Sequence, residues 1–236
     1  MINQGSMNTV FIDEYSNQKK EIQILRTVSQ RLAKEKQELD SISVGIFGKS
    51  GSGKSTLLKE YAKKFQTIKK IVCISPVEDL PNSIECWYES DIPEYMEKIN
   101  TGKLKKNLMV RSTNHDSMDM ILNVAEMSRN WLVLIDEIYQ FQTERLKSVS
   151  QVRRHSKTSL VYTERRPAMV DKRFINESDI LISFRQREPN TLKYLTEFME
   201  NENLDVKTTL MNLDEYTYYV YSQHKILDGR IHKTKK

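Results

Sequence analysis

Glycine is scarce in this chain, with seven residues among 236, yet four of them, Gly45, Gly48, Gly51 and Gly53, crowd between positions 45 and 53. Cysteine is scarcer still. Cys73 and Cys86 form no CxxC pair and no metal-ligand spacing, which argues against a structural disulfide and for the reducing environment of a cytosol. No apolar run reaches the roughly 18 residues that a membrane-crossing helix needs. The opening MINQGSMNTVFIDEYSNQ lacks the basic-then-apolar pattern of a secretory leader. Repeats, low-complexity tracts, zinc-finger spacings and DNA-recognition-helix motifs are also missing.

What remains is the material of a soluble α/β domain: 38% hydrophobic and 29% charged residues, enough for a sizeable core. The net charge of +5 and a pI near 9.0 permit a polyanionic partner without requiring one. Ile22, Leu25, Val28 and Leu32 recur at helical spacing, so residues 1–40 read as an N-terminal helical extension ahead of a domain over 41–236. From there short apolar runs (42–47, 71–75, 108–111, 131–135, 159–163 and 179–184) alternate with helical stretches near 54–66, 91–100, 115–129, 143–150 and 189–201. Such alternation predicts a mainly parallel sheet with helices on both faces. Beyond 213, Tyr216, Tyr218 and Val220 alternate, and Asp228-Gly229 sits between apolar pairs, which predicts antiparallel C-terminal edge strands.

The glycine cluster has a chemical reading. Residues 48–55, GKSGSGKS, match G-x-x-x-x-G-K-[ST] and stand between an expected strand and an expected helix. A phosphate needs consecutive backbone N–H groups converging on one hollow, and side chains there would block it. Gly48, Ser50, Gly51, Ser52, Gly53, Lys54, Ser55 and Thr56 are therefore the candidate nucleotide-binding residues, with the start of the following helix aimed at the same phosphates. Lys54 is expected on the β- and γ-phosphates of ATP, and the Ser55 hydroxyl on Mg²⁺.

A second oxygen ligand for the metal is expected from Trp131-Leu132-Val133-Leu134-Ile135-Asp136-Glu137, a continuous apolar strand ending in two acids. The carboxyl ends of parallel strands open into the ligand crevice, so Asp136 is placed for Mg²⁺ and Glu137 for activating water. Taken alone, the doublet also fits a core strand running into a helix N-terminus. Neither an Asn/Thr-Lys-x-Asp guanine motif nor an LSGGQ-like segment is present; nucleotide kinases are less easily excluded, although the Asp136-Glu137 doublet speaks against them, and a motor-type ATPase is the expected class.

The order of GKSGSGKS, LVLIDEIYQF, Arg154-His155, a short strand with a polar end, and SDILISFRQREPNTLKYL resembles the HerA/FtsK superfamily. Within it the chain is most similar to the genome-packaging ATPases of tailless, membrane-containing icosahedral DNA viruses, over roughly residues 42–222. The resemblance implies a RecA-like P-loop NTPase fold and a homo-oligomeric ring, taken as a hexamer. It further implies ATP-driven movement of double-stranded DNA into a capsid, a capsid or portal partner, and work in the host cytoplasm with association to the virion. A cellular HerA-like or phage-assembly motor, or a non-hydrolysing ATP-dependent interaction switch, are the alternatives.

Carried over residue by residue, Lys54 and Glu137 take catalytic roles, Ser55 and Asp136 the metal, and Arg154 that of an arginine finger acting across a subunit boundary. Arg153, Arg185 and Arg187 compete for that last role. Glu164 stands where the family usually has a γ-phosphate-sensing Gln. A carboxylate cannot donate as an amide does, so Glu164 pairs with Arg165, Arg166 or a neighbouring subunit, or holds metal, with sensing passed to Thr163 or turnover tuned down. Three basic clusters are candidates for a DNA path: Lys103, Lys105 and Lys106; Lys172 and Arg173; Lys233, Lys235 and Lys236.

Overall fold

A computed structural model of the chain describes residues 41–75, 79–111, 114–199 and 205–222, and the backbone of 230–233. The helical extension expected over 1–40 and the Asp228-Gly229 turn lie outside the described residues. In chain order the elements are β1 (Ser43–Phe47), α1 (Lys54–Phe65), β2 (Lys70–Ile74), β3 (Ser83–Cys86), α2 (Ile92–Asn100), β4 (Asn107–Val110), α3 (His115–Ser128) and β5 (Trp131–Ile135). There follow α4 (Glu144–Ser156), β6 (Ser159–Glu164), α5 (Lys172–Asn176), β7 (Ile180–Phe184), α6 (Pro189–Phe198), α7 (Val206–Asn212), β8 (Thr217–Ser222) and β9 (Arg230–Lys233).

Nine strands form one sheet in the order β3-β4-β2-β5-β6-β1-β7-β8-β9. Pairing is parallel from β3 to β7 and antiparallel for β7–β8 and β8–β9. β1 and β5 are buried at every position, because a parallel sheet covered on both faces admits no solvated alternation. α1 packs across β5 and β6, while α3 lies between α2 and α4. Local capping starts several helices: the Asn114 side chain accepts from the Asp116 N–H, Thr143 from Leu146, Asp171 from Arg173 and Asp205 from Thr208. Each such cap stabilises its helix by about 1 kcal/mol.

The seam between β1 and β6 explains the first of the clustered glycines. Tyr162 on β6 is fully buried, lies edge-on to Phe47 and Phe174, and shares a 2.9 Å hydrogen bond with the Ser178 hydroxyl. Its phenol oxygen sits 2.7 Å from where a Cβ on Gly45 would be. Gly45 thus makes room for an aromatic ring, not for a phosphate.

Two differences from expectation matter for function. β3 has no apolar run to announce it: its SIEC sequence carries a single buried residue, as an edge strand allows. α4 runs on to Ser156 instead of stopping near 150, so Arg153, Arg154 and His155 form its last turn. Cations are favoured there by the helix dipole.

Candidate functional site

β1 leads straight into the glycine-rich loop, and α1 begins at Lys54 behind Gly53, whose backbone is left-handed (φ 107°). A side chain at Gly53 would be strained. One at Gly48 would not fit, since a Cβ there would stand 2.6 Å from the Ser52 hydroxyl and 2.9 Å from Phe184 Cβ. Among the described residues no side chain caps α1, and its first turn holds no acid. Its leading N–H groups are left to bind an anion. The Ser52 hydroxyl is buried without a partner in the same loop.

Lys54 lies buried beneath this loop, with Nζ donating to the carbonyls of Gly48 (2.8 Å) and Lys49 (3.1 Å). Burial pulls its pKa below the ordinary lysine value; Asp136 is the strongest opposing influence, while Arg165 adds to the lowering. A buried cation under solvated amides is set to gain from an arriving phosphate.

The strand order brings the acids to the same edge. β6 stands between β5 and β1, with Ile135 level with Tyr162 and Phe47 level with Glu164. All three strands are parallel, so the phosphate loop, Thr163-Glu164 and Asp136-Glu137 emerge side by side. Asp136 Oδ1 accepts from the Thr163 hydroxyl at 2.6 Å and Oδ2 from the Ser75 hydroxyl at 3.3 Å. The Thr163 oxygen in turn accepts from the Glu137 N–H at 3.1 Å. Glu137 is held in the left-handed region at φ 57°, a conformation that costs a side-chain-bearing residue about 1–2 kcal/mol and recurs at functional sites. Its carboxylate pairs with Arg165 Nη2 at 2.5 Å and accepts from Gln140 Nε2 at 3.2 Å.

The donor set suits Mg²⁺. Asp136 offers a carboxylate and Ser55 a hydroxyl, hard oxygens of the kind that cation takes alongside waters and nucleotide phosphates. Among the described residues no three His, Cys, Asp or Glu side chains group into a metal cage, so a cation here would rely on the nucleotide's oxygens.

Thr163 therefore orients both acids. Thr163→Val, which keeps the shape and removes the hydroxyl, should lower nucleotide turnover by about ten- to a hundredfold and cost about 1–3 kcal/mol of stability, since Asp136 Oδ1 and the Glu137 N–H lose this partner. Phosphate release measured beside a thermal melt checks this.

Glu164 is buried and does not pair with an arginine side chain. Its Oε1 accepts from the backbone N–H of Arg165 (2.6 Å) and Arg166 (3.2 Å), and its Oε2 from that of Tyr139 (3.1 Å). Its own carbonyl accepts from the Gly48 N–H at 3.2 Å. The carboxylate closes its own turn and ties that turn to the phosphate loop.

The arginines separate into two groups. Arg185 and Arg187 follow β7 at the loop's edge of the sheet. With Lys49, Ser50, Arg165 and Arg166 they line a cleft of about 340 Å³. Arg153 and Arg154 lie at the opposite edge, beside Asp179, which precedes β7 and accepts from the Ser43 N–H at the start of β1. Arg153 is buried against Ser150 O (2.8 Å) and Asp179 Oδ2 (2.7 Å). Arg154 is exposed and only loosely near Asp179 Oδ1, at 3.6 Å.

Of the basic clusters, Lys103, Lys105 and Lys106 are exposed. Arg173 is occupied by Asp171 (2.9 Å) and Glu144 (3.4 Å), and the Lys235 and Lys236 positions lie outside the described residues. Arg165 as partner of Glu137, and Ser75 as partner of Asp136, carried no sequence signal, because both pairings depend on strand order.

A family model described as the NB-ARC domain matches residues 20–181. No curated protein matches the chain. Among solved structures, the genome-packaging NTPase B204 from Sulfolobus turreted icosahedral virus 2, in complex with AMPPCP, is 19% identical with a TM-score of 0.67, covering 84% of this chain and 99% of that one. The plasmid coupling protein TrwB, in complex with ADP and Mg²⁺, is 12% identical with a TM-score of 0.58, covering 82% and 85%. VirB4 of Thermoanaerobacter pseudethanolicus is 11% identical with a TM-score of 0.53, covering 81% and 89%. These likenesses establish a shared P-loop NTPase fold. Among the described residues, no helix is long and apolar enough to cross a membrane.

Proposed function

We propose that this chain, which belongs to the NB-ARC domain family of P-loop NTPases, is an ATP-hydrolysing motor that moves double-stranded DNA into a viral capsid. The observation that carries the reading is the common edge shared by the phosphate loop and the acid pair, with β6 and its Thr163 wedged between them. That arrangement suits attack by water, because it sets a carboxylate, Glu137, at the same sheet edge as the phosphate loop. The fold shared with a packaging NTPase and with coupling proteins supports the DNA-handling part.

In the proposed cycle, the amides of 50–55 and Lys54 hold the triphosphate and neutralise charge that grows on its γ-phosphoryl oxygens. Ser55 and Asp136 would hold Mg²⁺, which would supply further neutralisation of phosphate charge when bound. Thr163 keeps Asp136 and Glu137 in register, and Glu137 takes the proton of the attacking water. Arg154 completes the site of the neighbouring chain in a ring. DNA is gripped through its phosphates by exposed lysines, since a motor must work on every sequence.

The test is phosphate release from ATP with and without duplex DNA. The motor reading expects turnover that rises several-fold with DNA, on the order of the gain from completing a site by contact. Turnover absent under both conditions would favour an ATP-dependent switch and overturn the motor.

A further inference from the structure

Glu137, the base in the proposed cycle, is already engaged: Arg165 Nη2 lies 2.5 Å from its Oε1. An arginine held on the general base occupies the carboxylate oxygen that an attacking water would need, so the pair makes chemical sense only if it opens. The surroundings allow this. The Arg165 side chain is 54% exposed, against 26% for Glu137, so packing does not lock it. Its backbone, by contrast, is anchored: the Arg165 and Arg166 N–H groups bind Glu164 Oε1, and Glu164 O binds the Gly48 N–H of the phosphate loop. The guanidinium therefore swings from a fixed base beside that loop and shares the cleft lined by Lys49 and Ser50.

We propose that Arg165 reads the terminal phosphate: it pairs with Glu137 in the empty and ADP-bound protein, and moves to the γ-phosphate of ATP, releasing Glu137 toward water. The inference rests on the ATPase reading above but not on DNA translocation. An ion pair whose arginine is open to solvent gains little from its single carboxylate, whereas a terminal phosphate offers more charge and a bidentate fit to guanidinium. Glu164 gains a role as well. By closing the turn with backbone hydrogen bonds it fixes the point beside the phosphate loop from which the Arg165 side chain extends.

The test is a double-mutant cycle on equilibrium binding of AMPPCP and of ADP, with magnesium, without DNA, and with no turnover to measure. Arg165→Ala should weaken AMPPCP by about tenfold or more, the worth of one charge-assisted hydrogen bond, and change ADP affinity by no more than about twofold. Glu137→Gln should strengthen AMPPCP by several-fold, because the guanidinium no longer has to leave a carboxylate, and that gain should vanish in the Arg165→Ala background. Arg165→Lys should recover part of the preference for AMPPCP. Equal losses for both nucleotides, or a Glu137→Gln gain that survives without Arg165, would overturn the switch and leave simple repulsion between Glu137 and the phosphate. A wild-type protein that binds neither nucleotide would overturn the ATPase reading together with it.

Discussion

Lys54→Ala should reduce ATP turnover by about a thousandfold, comparable to deleting a principal donor to transition-state charge, with the fold intact. Lys54 Nζ is held by the Gly48 and Lys49 carbonyls, and those bonds hold the ammonium in place rather than the sheet. Removing the side chain takes this donor from the buried Gly48 carbonyl and the part-buried Lys49 carbonyl, and relieves the burial that lowers the lysine's pKa. These effects oppose one another, so the melting temperature of the nucleotide-free protein should change little. Binding and chemistry suffer instead, because the buried cation set beneath the phosphate loop is gone. Steady-state phosphate release read beside a thermal melt checks both halves, and turnover untouched by the change would remove the proposed site.

Arg154→Ala should be nearly as severe for turnover, about a thousandfold if it serves as an arginine finger, while ATP binding by the same chain is retained. Geometry requires the action to cross between chains. Arg154 sits near Asp179, at the start of the strands, whereas the phosphate loop leaves their far end. β1 alone is five residues long, about 17 Å of extended chain. Mixing Arg154→Ala with Glu137→Gln chains should restore part of the activity, since each supplies what its neighbour lacks. Two inactive variants that remain inactive together would sink the assignment. Arg153→Ala is the contrasting control: it strips the buried partner from Asp179 and should cost about 3–5 kcal/mol of stability, so it fails by unfolding rather than by chemistry.

The contrast between those two adjacent arginines shows what a sequence carries. Arg153 and Arg154 look alike as letters, and only the extension of α4 to Ser156 turns one inward and the other to solvent. Lys54, Asp136 and the parallel core were legible because the signals are local: a strand ending in a loop of fixed spacing, and a strand ending in two acids. Asn114 and Thr143 likewise announce helix starts by their own chemistry. The Thr163 bridge and the Arg165–Glu137 pair were not legible. They exist because β6 inserts between β5 and β1, and no local pattern reports which strands become neighbours. Glu164 misled for a related reason. A carboxylate beside a triphosphate is repelled, but this one is directed into the amides of its own turn. β3 and α7 escaped because one is a four-residue edge strand and the other carries two threonines in seven residues.

The exposed arginine at the foot of the sheet has a consequence for energy economy in a cell. With Arg154 in the proposed finger role, a solitary copy would carry its fuel without burning it, since the group that completes combustion would belong to whoever docks alongside. Specific activity would then climb steeply with protein concentration and vanish on dilution, so that ATP is consumed only where the machine has been put together.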